Sequence, residues 1–233
     1  MAPARRGPDG VTAGRAHDRY LVLPHAEAGM TVGLFGGSFN PPHPGHLLVA
    51  EIALKRLGLD QIWWMVTPGN PLKSRAELLP LAERITLSEE LARDPRIKVT
   101  AFEERLNTSY TARTLSHVVA RNRKVRFVWI MGADSLKTFH RWQKWREIAA
   151  TVPIAVIDRP GATLSFLSSP AARALSFARI DENAARSLPY RKPPAWTFIH
   201  GPRSALSSTA LRSGRRVDAD NPSCVAAAGL LKD

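Results

Sequence analysis

Gly33-Leu34-Phe35-Gly36-Gly37-Ser38-Phe39-Asn40-Pro41-Pro42-His43-Pro44-Gly45-His46 is the stretch on which the fold turns. A short apolar run, Met30 to Phe35, leads into it, and an amphipathic stretch, Pro44 to Leu57, follows. The chain is therefore expected to pass from a strand straight into a helix. Pro44 suits the opening helical turn and Gly58 suits the position just past the end. Gly36 and Gly37 carry no side chains, so main-chain N–H groups there can approach an anion closely. The helix N-terminus adds unpaired donors and the positive end of its dipole. His43 and His46 are three residues apart, which turns both imidazoles to one side of a helix that begins at Pro44. The stretch is neither the Gly-x-Gly-x-x-Gly fingerprint nor a P-loop. A His pair alone can also ligate a metal, but no carboxylate or cysteine stands near it in sequence to complete a site.

Working outward, further runs with strand character occur at Gln61 to Thr67, Arg96 to Phe102, Val125 to Met131, Val152 to Asp158 and Trp196 to His200. Stretches of helical period lie between most of them, at Pro80 to Arg93, Ser109 to Arg121 and Trp145 to Ala150. Such alternation predicts an α/β fold, a doubly wound, mainly parallel, Rossmann-like sheet whose ligands bind beyond the C-terminal ends of its strands. Residues 30–216 are read as this domain, 217–233 as its helical tail and 1–29 as a disordered extension. The Ala-, Ser- and Arg-rich segment from Gly161 to Pro194 is expected to hold one helix and a long loop.

The chain of 233 residues has 33 Lys and Arg against 20 Asp and Glu, a formal charge of +13 that favours an anionic partner. Its single cysteine, Cys224, rules out an internal disulfide and a cysteine-built zinc cluster, which suits a reducing, cytoplasmic setting. No apolar run approaches the roughly 20 residues of a membrane span, and residues 1–29 lack the apolar core of a secretory signal. The basic residues are scattered and match no nucleic-acid-binding motif, so nucleic acid is not expected as the main partner.

The run from Gly36 to His46 resembles the signature of nicotinate-nucleotide adenylyltransferases, nucleotidyltransferases marked by His-x-Gly-His. The resemblance extends from about Met30 to Arg216. It implies that His43 and His46 contact ATP phosphates and steady the transition state, with Gly36, Gly37, Ser38 and Phe39 beside them. Ser207-Ser208-Thr209-Ala210-Leu211-Arg212 resembles the family's Ser-x-Thr-x-x-Arg element, implying that Ser207, Thr209 and Arg212 hold the triphosphate and that Arg212 is catalytic. Gly132 and Asp134 are implied on the adenosine side. For the mononucleotide the resemblance implies Asn40, Lys73, the helix opening at Tyr110 and Thr111, Trp142 against the pyridine ring, and Arg159. Ordinary helix capping and core packing account for several of these residues equally well when each is taken alone.

The expected substrates are ATP and nicotinate mononucleotide, with Mg²⁺ carried on the nucleotide and no resident metal site. An anionic phosphate acceptor needs no general base, so the protein's task is to align two anions and neutralise developing charge. The same ATP machinery also suits other acceptors, nicotinamide mononucleotide or phosphopantetheine. A basic nucleic-acid-binding module is the rival from a different class. Oligomeric state is left open.

Overall fold

A computed structural model describes residues 18–69, 78–158 and 168–201. Six strands form one sheet: β1 (Thr31–Gly37), β2 (Gln61–Val66), β3 (Ile97–Thr100), β4 (Arg126–Gly132), β5 (Ile154–Ile157) and β6 (Trp196–Ile199). Every neighbouring pair is parallel and the order is β3-β2-β1-β4-β5-β6. The chain winds outward from β1 to one edge, returns to β4 beside β1, and winds to the other edge. The β1/β4 seam is thus the topological switch point, where open α/β sheets take their ligands.

The central strands β2 and β4 read as nearly unbroken apolar runs because both faces are covered, whereas edge strand β3 leaves Lys98 exposed. Alternate residues feed two cores, as the period of two requires. Trp63 and Met65 of β2, Phe127, Trp129 and Met131 of β4, and Ile154 and Val156 of β5 join one. Helices α3 (Thr111–Arg121), α4 (Ala133–Thr138), α5 (Trp145–Thr151) and α6 (Pro170–Ala174) pack there through residues such as Leu115, Leu136, Ile148 and Ala171. Ile62, Trp64, Val66, Val128, Ile130, Ala155 and Ile157 face the other core, against α1 (Pro44–Leu57) and α2 (Leu81–Leu91).

Helix α1 has the limits expected of it. Pro44 is its first residue, and Gly58 stands in the left-handed region at φ 65°, where its N–H closes on the Leu54 carbonyl. Lys55 and Arg56 occupy the last turn, where cations complement the helix dipole.

Gly33, in the middle of β1, has no room for a side chain. A Cβ there would lie 2.5 Å from Ile130 Cδ1 and 2.8 Å from Leu59 Cδ1, both buried. Gly33→Ala is expected to destabilise the fold by about 1–3 kcal/mol through overpacking. An unchanged denaturant midpoint would contradict this.

Two expectations are corrected. Residues 18–29, expected within the extension, pack along the sheet edge: the Tyr20 carbonyl accepts from Ala101 N at 2.7 Å and Thr100 Oγ1 at 2.9 Å. Val22 O also takes the Thr100 hydroxyl, and Gly29 N donates to Lys124 O. Polar loop composition hid these main-chain bonds, which depend on no side-chain pattern. The described part of the Gly161 to Pro194 segment holds the one helix expected, the short α6, but two 3₁₀ stretches, Ser176–Ala178 and Glu182–Tyr190, stand where a long loop was expected. Between them the chain pairs with Trp196, covering the exposed edge of β6 through Ile180 N to Trp196 O at 2.8 Å.

Candidate active site at the switch point

Strands β1 and β4 pair as far as Phe35 and Ile130 and then part, while β1 stays paired with β2 through Gly36 and Gly37. The two glycines therefore end the strand and do not form a loop, and their flank toward β4 opens into the crevice. Their need for glycine is steric. A Cβ on Gly36 would meet the Trp129 ring at 2.7 Å, and one on Gly37 would meet the Phe39 ring at 3.1 Å.

The turn follows at Ser38 and Phe39. Phe39 adopts φ 43°, a conformation that costs a phenylalanine about 1–2 kcal/mol. The ring contacts offset that cost. It stacks on Trp64 at 4.4 Å and meets Phe35 and His46 edge-on at 5.4 and 5.0 Å. Its side chain belongs to the core, so only its main chain faces the loop. Asn40 is buried, and its Oδ1 accepts from Leu79 N at 2.9 Å, tying the β1–α1 loop to the approach to α2.

His43 caps α1 with extended backbone, and His46 stands in its first turn. Their rings lie 3.7 Å apart and 31° from parallel, both shielded from solvent. The His43 N–H donates to His46 Nδ1 at 3.3 Å, so this imidazole plays the part of the acidic residue in a capping box. An accepting Nδ1 leaves the ring proton of the neutral form on Nε2, the tautomer this hydrogen bond assigns. The sequence-predicted pair is thus brought together with a donor edge set by the backbone.

Across the seam, Gly132 ends β4 and Asp134 is exposed in the first turn of α4. Trp129 links the two sides: its ring lies against Gly36, and Trp142 meets it edge-on at 6.2 Å. Trp142 is half-buried and also packs on Phe139 at 5.4 Å. Tyr110 is half-exposed at the start of α3, its N–H held by Thr108 Oγ1 at 3.2 Å, and Thr111 opens the helix. Lys73, Arg159, Ser207, Thr209 and Arg212 lie outside the described residues.

Sequence reading missed two groups. Arg84 on α2 is 1% exposed and spends its guanidinium on main-chain carbonyls of the loops after β1 and β2. Its position was a signal, since it shares the inward face of α2 with Ile85 and Ser88. Glu103, 3% exposed, receives the Thr114 hydroxyl on Oε1, while Oε2 has no partner among the described residues. Burial, only partly countered by that hydroxyl, pushes its carboxyl up to about 7.

Known proteins resemble this chain in sequence and fold. A family model described as Cytidylyltransferase-like matches residues 34–214. A relative from Rhizobium johnstonii, named a probable nicotinate-nucleotide adenylyltransferase, is 73% identical over 192 residues, which is 82% of this chain and 96% of the relative. One of the same name from Brucella abortus is 68% identical over 78% of this chain and 94% of its own length. Among solved structures, a Plasmodium falciparum nicotinic acid mononucleotide adenylyltransferase complexed with NaAD superposes with TM-score 0.61 over 79% of this chain and 83% of that one. At 16% identity that likeness speaks for the fold alone. The sequence relatives carry the assignment further: matched over nearly their whole length at such identity, this chain belongs to the nicotinate-nucleotide adenylyltransferase family.

Proposed function

We propose that the protein transfers AMP from ATP to nicotinate mononucleotide, forming the deamido dinucleotide and pyrophosphate. The observation that carries the reading is the 73% identity, over 82% of the chain, to relatives named for that activity. The position of His43 and His46 at the N-terminus of α1, just past the C-terminal end of β1, supports it. A phosphate oxygen of the mononucleotide attacks the α-phosphorus in line; the new P–O bond forms as the α–β bridge bond breaks, and pyrophosphate leaves. The nucleophile is already ionised, so no proton need be removed.

On this reading the His46 Nε2–H and the main-chain donors at the start of α1 stabilise charge that builds on the phosphates. Asp134, at the start of α4, serves the adenosine side. Trp142 offers an aromatic face to the pyridinium ring, a cation on an indole, and the opening of α3 at Tyr110 and Thr111 receives the ring carboxylate. Asn40, Lys73 and Arg159 are assigned to the mononucleotide, and Ser207, Thr209 and Arg212 to the triphosphate. Mg²⁺, entering on the phosphates of ATP as part of the substrate, supplies further charge neutralisation. The basic balance of the chain concentrates both anionic substrates, and the lone cysteine suits a cytoplasmic enzyme.

The purified protein, given ATP, Mg²⁺ and each of nicotinate mononucleotide, nicotinamide mononucleotide and phosphopantetheine, is expected to release pyrophosphate fastest with the first. The dinucleotide product is identified by mass. A preference for either other acceptor would overturn the assignment.

A further inference from the structure

Arg84 is buried, yet none of the ion pairs among the described residues includes it. Burial lowers its proton affinity, but a guanidinium stays charged in proteins. Its donors go to backbone oxygens: Nε to Leu79 O at 3.0 Å, Nη1 to Ser38 O at 2.7 Å and Thr67 O at 2.8 Å, and Nη2 to Pro68 O at 3.4 Å. Those carbonyls belong to three separate pieces of chain: the turn after β1, the turn after β2 and the approach to α2. A planar fork with donors in fixed directions can span them, whereas an ammonium cannot.

The contacts also set the direction of the opposite edge of each peptide. In a trans peptide the C=O and the following N–H point to opposite sides, and the Ser38–Phe39 and Pro68–Gly69 bonds are not among the cis bonds of this chain. With Ser38 O and Pro68 O drawn toward Arg84, the N–H groups of Phe39 and Gly69 are turned away from it. One of these follows the strand that leads to His43 and His46, and the other follows its neighbour β2.

We infer that Arg84 is a positioning residue for the reaction: by gripping the carbonyls after β1 and β2 it holds the two turns in register and aims their amides at the anionic substrates. This rests on the proposed adenylyl transfer. It acts through the backbone and touches neither substrate.

Arg84→Lys and Arg84→Met in the full chain test the inference, with denaturant midpoints measured beside the kinetics. Lys keeps the charge and stem but loses the fork. Both variants are expected to remain folded at assay temperature while kcat/KM falls on the order of 10²-fold, because small misplacements of reacting groups cost that much. Part of the loss should appear in the dissociation constant for ATP, measured by calorimetry without turnover. In Arg84→Ala, added ethylguanidinium should restore activity toward that of the unsubstituted protein and leave the latter unaffected. Unchanged kcat/KM in a folded Arg84→Lys, or loss of the folded state in both variants, would make Arg84 a structural brace and overturn the inference. Should the unsubstituted protein fail to turn over while still binding ATP tightly in an Arg84-dependent way, the proposed acceptor is wrong and the positioning role survives.

Discussion

His46→Ala is expected to lower turnover by on the order of 10²-fold or more, as for loss of one preorganised stabiliser of transition-state charge. The substitution removes two things at once. One is the Nε2–H donor; the other is the Nδ1 acceptor of the His43 N–H, a capping bond of 3.3 Å. Loss of a cap costs about 1 kcal/mol of stability, so the folded fraction must be measured with the kinetics. His46→Asn separates the two effects, because its Oδ1 can accept from the His43 amide while nothing replaces Nε2–H. If the role is catalytic, Asn restores the denaturant midpoint and leaves turnover low. Normal turnover in a folded Asn or Ala variant would remove His46 from the mechanism.

The second large effect concerns stability. Glu103 has its carboxyl raised from the ordinary 4.5 to about 7, chiefly by burial. Between those values the folded chain holds a proton that the unfolded chain has lost, so the unfolded state binds fewer protons and stability falls as pH rises. The contribution is fully present below about 4.5 and is lost as pH climbs through about 7; across that window it amounts to roughly 3 kcal/mol. Glu103→Gln keeps an acceptor for the Thr114 hydroxyl and cannot ionise. The variant should therefore match the unsubstituted protein near pH 5 and exceed it near pH 8.5, with midpoints diverging in between. His117, whose proton affinity is lowered by burial and by Arg121, is common to both chains and drops out of the difference. Parallel stability curves over that range would show that Glu103 does not titrate as described.

All six strands, the limits of α1 and the neighbourhood of His43 and His46 were legible in the order of residues, because each rests on a local rule. Buried parallel strands show as apolar runs, Pro44 and Gly58 mark helix ends, and a spacing of three brings side chains to one side of a turn. The glycine pair was readable as glycine, but the steric reason for it was not. Nothing near Gly36 in sequence reveals that the ring of Trp129, on β4, stands where its side chain would be. The place of the Phe39 side chain was hidden in a similar way: Trp64, on β2, takes its ring into the core while its main chain stays in the loop. Glu103 looks like an ordinary surface charge until its burial is known, and Arg84 differs only in sharing a helical face with Ile85 and Ser88.

The sequence by itself settled the six strands and the longer helices between them, which loop carries the imidazoles, and that the chain suits anionic ligands. Local sterics, hydrophobic period and capping act within a few residues, so they can be read along a line. Only the tertiary structure decided that β4 returns beside β1 to open a seam, and that residues 18–29 close an edge of the sheet. It also decided that one buried guanidinium joins the turns after two strands. Each of these depends on contacts between residues far apart in sequence, where shape and desolvation select the partner and no periodicity announces it.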